Sequence, residues 1–185
     1  MGSPVETVAR TPLYEPQKAL GAKFHIFFGW EMAARYKDAG EADEHEHVRK
    51  HVGLIDLSNH GAVSVGGKES VQFLNGLVTN DVKTLSAGHG MKAAFLTGHG
   101  KVKALCRVLG LGDQYLVIND PQTHKKIWDY VFPFTYAGDF NAEDASARYR
   151  ILSVQGTNAL AVMKEVCFEP IPVLEEHDWI KTIVG

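Results

Sequence analysis

The stretch from Ala62 to Asn119 constrains the fold most. Val63 and Val65 bracket Ser64, the two-residue alternation of a strand over Ala62–Val65. Gly66-Gly67 turns the chain, and Glu69–Val78 then sets Val71, Leu74, Leu77 and Val78 at helical spacing. Three strands are predicted next, Ala94–Thr97, Val102–Leu109 and Tyr115–Asn119. They are split by Gly98-His99-Gly100, which reads as a hairpin turn, and by Gly110-Leu111-Gly112-Asp113. Pro121–Phe132 continues as a helix with Ile127, Trp128, Val131 and Phe132 facing a core. Strands and helices in this order, joined by short turns, imply the α+β class: antiparallel sheets with helices packed on one face.

The flanks carry weaker signals. Thr11 and Pro12 suit an N-cap and first helical residue, with Gly21 ending the helix. Phe24–Phe28 is aromatic and branched and reads as a buried strand stopped by Gly29. Gly40–His51 is a polar helix ended near Gly53, and Leu54–Leu57 is a short strand. Arg148–Val154 reads as a strand, Asn158–Val166 as a helix and Trp179–Val184 as a final strand. The expected organisation is an inserted, ferredoxin-like antiparallel α+β domain over 54–138. An incomplete outer α+β domain would be built from 1–53 and 139–185. A chain ending in a strand also suggests a missing partner strand.

The 185 residues can bury a core, and the net charge of −3 gives no electrostatic footprint for nucleic acid. The two cysteines, Cys106 and Cys167, form neither a disulfide framework nor a metal-ligand spacing, so a cytoplasmic location is expected. No apolar run approaches the ~20 residues that span a bilayer, so no membrane partner is expected. The opening residues lack a signal pattern.

Few residue groups suggest chemistry by themselves. Glu44, His47 and His51 share a helical face, but Arg49 stands where a zinc-protease motif needs histidine, and a solvated face is the plainer reading; no metal is expected. Ser64 lies in a strand rather than a nucleophile elbow. Gly66-Gly-Lys-Glu-Ser70 has Glu69 where a phosphate loop needs Ser or Thr. Val102, Ala104, Cys106 and Val108 should share an apolar face. Lys101, Lys103 and Arg107 should lie on the other face around Leu105, either solvated or as a weak anion site. Asp56-Leu57-Ser58 and Asn119-Asp120 end strands, where side chains reach ligands. Asn119 has the donors and acceptor to read a fused heterocycle, or it caps the turn before Pro121.

Several blocks in order carry a family resemblance. Thr11-Pro-Leu-Tyr14, Phe28-Gly-Trp-Glu-Met32, Val52-Gly-Leu-Ile-Asp-Leu-Ser58, Phe73-Leu-Asn-Gly-Leu-Val-Thr-Asn-Asp-Val82 and Leu152-Ser-Val-Gln-Gly156 resemble the aminomethyltransferases typified by the glycine cleavage T-protein. The match is to their N-terminal portion only. The resemblance implies a truncated T-protein-like folate-binding fold, tetrahydrofolate as cofactor, and one-carbon transfer to it from an aminomethyl or N-methyl donor. A family carboxylate would hold or relay the proton in that reaction. The family's acidic pair falls here on Ala104 and Leu105, so no catalytic residue is assigned. The resemblance places Asn119 and Val117 on the pterin side, Lys92 at a pocket position and His60 after the Asp-x-Ser motif. Phe95-Leu-Thr-Gly-His-Gly-Lys-Val102 resembles a sister branch of folate-binding proteins of the iron–sulphur maintenance type, which suggests a non-catalytic or regulatory module. The pocket would be half built unless another protein or a second copy completes it.

Overall fold

The computed structural model describes residues 8–37 and 40–184. In chain order its elements are β1 (Ala9–Arg10), α1 (Tyr14–Ala19), β2 (Lys23–Phe27), β3 (Trp30–Arg35), α2 (Glu41–Lys50), β4 (Gly53–Asp56), β5 (Gly61–Gly66), α3 (Ser70–Leu77), β6 (Gly90–Leu96), β7 (Val102–Gly110), β8 (Tyr115–Asn119), α4 (His124–Val131), β9 (Asn141–Asp144), β10 (Leu152–Gln155) and α5 (Ala159–Val166). The chain divides into two compact units. One comprises the residues up to Asn59, Arg150–Ile171 and the end from Ile183. The other comprises His60–Tyr149 and Pro172–Thr182.

The second unit is built on a five-stranded sheet in the order β6-β7-β8-β5-β9, with every pair antiparallel. Alternation explains its two faces. Val63, Val65, Phe95, Val108 and Val117 point to the side covered by Leu74 and Leu77 of α3 and Ile127 and Val131 of α4. The opposite face carries a smaller cluster of Ala62, Leu116 and Ala145. The register slips by one residue between Phe95–Ala104 and Leu96–Val102, so Lys103 is the extra residue of a bulge. This corrects the expected alternation. Val102 is exposed rather than facing the core with Ala104, and the Lys103 ammonium lies 3.7 Å from the centroid of the Tyr130 ring. Strand β9 has no apolar alternation to announce it. It is held as an edge strand by pairing Ala142 with Val65 and Asp144 with Val63.

In the first unit, β2 and β3 form a hairpin whose turn residues, Phe28 and Gly29, both have positive φ, 49° and 80°. The expected buried strand is overturned here, because Ile26, Phe27 and Phe28 are exposed. Strand β1 runs parallel to β3, so this small sheet is mixed. Strands β4 and β10 form an antiparallel ribbon. Asn158 donates its backbone N–H to the His51 carbonyl (3.0 Å), bringing the start of α5 to the end of α2. Gly156 makes this turn at φ 124°, where a Cβ would lie 2.3 Å from the His51 carbonyl oxygen. The expected terminal strand over Trp179–Val184 does not form. A single bridge joins Val184 to Cys167 in the first unit, while Trp179, a residue of the second unit, donates its backbone N–H to the Gly88 carbonyl of that same unit (2.9 Å).

Candidate functional site

Four positions stand in one row across the second unit's sheet: Ala93, Cys106, Asn119 and Gly61. All belong to the helix-covered face. Asn119 is 2% exposed, and both its amide oxygen and its amide nitrogen are buried without a hydrogen-bond partner among the described residues. Leaving such a group unpaired costs about 1–3 kcal/mol, which makes the Asn119 amide a candidate for a polar partner. The Cys106 thiol beside it donates weakly to the Ala93 carbonyl (3.5 Å), and burial pushes its pKa up to about 12. It is a neutral wall of the site, not a nucleophile. Val117, two residues earlier on the same face, is fully buried between its ladder partners Val108 and Val63.

Gly61 lacks a side chain because α4 needs the space. A Cβ there would lie 2.1 Å from Nδ1 of His124. The His124 ring is clamped from its other edge, where Nε2 lies 3.0 Å from Asp144 Oδ2 and 3.3 Å from Ser146 Oγ. Ser146 donates its hydroxyl to Asp144 Oδ1 (2.6 Å), and its Oγ accepts the Ala62 N–H (3.0 Å). Serine and carboxylate meet the same ring nitrogen, so no proton relay to a nucleophile exists and the group acts as a clamp. Burial raises the Asp144 pKa. The hydrogen bonds from Ser146 and His124 outweigh that effect and hold it below the usual carboxylate range. His124 Nδ1 is also buried without a hydrogen-bond partner among the described residues. Sequence reasoning missed this cluster, whose only trace was its histidine, aspartate and serine bracketing 124–146.

The remaining expected site residues lie elsewhere. Lys92 pairs opposite Arg107, on the sheet face away from Asn119, and its ammonium is 3.3 Å from Glu176. The structure therefore does not bring the Lys92 and Asn119 side chains together. Ala104 and Leu105 are split by the pleat: Ala104 is 3% exposed within the core, and Leu105 is 63% exposed on the Lys92 side. His60 Nε2 lies 3.3 Å from Asp120 Oδ1, one residue beyond the Gly61–Asn119 pair on each strand. In the first unit, Asp56 Oδ1 accepts the Ser58 N–H (3.0 Å). Asp56 Oδ2 and Ser58 Oγ are buried without partners among the described residues. The rings of His47 on α2 and His51 just past its end lie 4.8 Å apart, tilted by 44°, and α2 buries none of its residues.

A family model described as the GCVT N-terminal domain matches residues 13–175. The chain belongs to this family. The aminomethyltransferase of Picosynechococcus sp. is 32% identical over 162 residues, covering 86% of this chain and 44% of that protein. The aminomethyltransferase of Rubrobacter xylanophilus is 32% identical over 96% of the chain and 47% of its own length. That of Bacillus cereus is 33% identical over 96% and 48%. The chain thus spans less than half the length of these relatives. The solved glycine cleavage system aminomethyltransferase T from Bartonella henselae shares the fold, with a TM-score of 0.78, 24% identity, and coverage of 85% of this chain and 43% of that one. The aminomethyltransferase resemblance and the antiparallel α+β class are thereby borne out.

Proposed function

We propose that this chain contributes a tetrahydrofolate-binding half of an aminomethyltransferase-type pocket, with Asn119 reading the polar edge of the heterocycle. The observation that carries this is the Asn119 amide, buried with both polar atoms unpartnered among the described residues. An amide can donate to and accept from one pterin edge at once. Family membership and relatives named aminomethyltransferase supply the ligand class. If the chain is active, it transfers a one-carbon unit from an aminomethyl or N-methyl donor to tetrahydrofolate, and it must do so without a carboxylate at Ala104 or Leu105.

The non-catalytic module is the second reading, favoured by the chemistry of those two positions. An aspartate at Ala104 would be driven into the core and held neutral by desolvation, whereas one at Leu105 would face open space. A partner-completed half is compatible with either, since Leu54 and Phe168 are largely exposed in the first unit. Anaerobic calorimetric titration with tetrahydrofolate tests the proposal. Saturable binding that weakens about tenfold or more in Asn119→Ala supports it, the size expected for losing a well-made pair of hydrogen bonds. No binding at millimolar ligand, or binding indifferent to Asn119→Ala, refutes it. Turnover gained by Leu105→Asp favours the enzyme reading, and an inert Leu105→Asp that still binds favours the module.

A further inference from the structure

On the sheet face away from Asn119, a cavity of about 200 Å³ opens where Glu175–Thr182 returns to the sheet. Its apolar surface comes from Leu109 and Ile118 of the sheet and Trp179 of the returning segment, while Met91 borders it from β6 with its side chain packed against the core of the other face. Trp179 is fixed: its backbone N–H donates to the Gly88 carbonyl (2.9 Å) and its indole N–H to the His89 carbonyl (3.2 Å). His177, also in the lining, sits at φ 74°, a left-handed conformation that a non-glycine residue adopts at a cost of about 1–2 kcal/mol. The strap is therefore bent and tied at this point, not loosely laid down.

Two opposite charges line the cavity. Arg107 reaches it from β7 and Asp178 from the strap. They do not form an ion pair with each other, and no carboxylate among the described residues lies within salt-bridge distance of Arg107. The neighbouring charges are engaged elsewhere. Lys92 and His177 meet Glu176 at 3.3 and 3.2 Å, and His89 meets Asp178 at 2.6 Å. The Glu175 N–H and His89 keep Asp178 ionised by lowering its pKa against the opposing effect of burial. Asp178 already accepts one hydrogen bond on each oxygen, from His89 (2.6 Å) and from the Glu175 N–H (3.1 Å), and keeps a second lone pair on each. With Arg107, unpaired among the described residues, it matches a ligand carrying both charges on one small body. The room is slightly more than the ~150 Å³ that accommodates benzene in an engineered cavity.

We propose that this cavity binds a small aliphatic α-amino acid. Its carboxylate pairs with Arg107, its ammonium faces Asp178 and the Trp179 ring, and its side chain lies on Leu109 and Ile118. This reading is independent of folate binding, because the Asn119 side chain belongs to the other face of the sheet.

The test is titration of the whole chain with L-valine, following the Trp179 indole N–H by NMR and identifying that signal by its loss in Trp179→Phe. Isovalerate and isobutylamine keep the valine skeleton but drop the ammonium or the carboxylate. Saturable valine binding with each half-probe weaker by about tenfold or more is expected. Arg107→Met, an exposed position that leaves the core untouched, should make valine and isobutylamine bind alike. Asn119→Ala should change none of these affinities. No saturation by millimolar valine, equal binding of all three probes, or an unchanged preference in Arg107→Met overturns the proposal.

Discussion

At the scale of single residues, the space around Asn119 is decided by Gly61 and His124. Any side chain at position 61 meets the His124 ring near its root, not at a flexible tip. Gly61→Ala should destabilise the chain by about 1–3 kcal/mol, read as a lower urea midpoint with unchanged m-value. Asp144 makes a second, pH-dependent prediction. Its folded pKa is depressed, so its stabilising contribution is present above the unfolded value and fades as pH falls towards the folded one. Wild-type chain should therefore lose stability relative to Asp144→Asn as pH drops below about 4. Unfolding midpoints of the two proteins that run parallel through this range would remove the clamp from the account.

Among the elements, the β2–β3 hairpin carries an avoidable strain. Phe28 occupies the left-handed region at φ 49° while its ring is exposed, so nothing in packing compensates for the conformation. Phe28→Gly should stabilise the chain by about 1 kcal/mol, seen as a higher melting temperature. Elements with clean periodicity were legible: β8 has the predicted bounds, and α3 and α5 start one residue late. Polar β9 was not legible, because an edge strand paired on one side needs no alternation. The bulge was hidden because Val102-Lys103-Ala104 alternates normally, and only pairing with β6 exposes the extra residue. The aromatic run Phe24–Phe28 misled because branched and aromatic residues signal a strand without saying whether its faces are covered. The place of Asn119 at a strand end was legible, whereas its buried, unpartnered amide was not. The Asp144–Ser146 half of the clamp was not, since it depends on the unannounced β9.

For the molecule as a whole, the two units differ in how well they bury their apolar residues. The second has a continuous core from Val63 to Phe140, while the first leaves Phe28, Leu54 and Phe168 exposed. Isolated chain should therefore associate as it is concentrated, and sedimentation should show a mass that rises with concentration and falls back in Leu54→Glu. A constant monomer mass would argue against a completing copy. The seal over Asn119 also governs time. A ligand cannot meet an amide that is 2% exposed until the fold around it opens. Capture then waits on a conformational event, so the observed association rate should level off at high ligand concentration instead of climbing with it. Loosening the His124 clamp would raise that ceiling, making the site quicker to fill even where it holds its guest no more tightly.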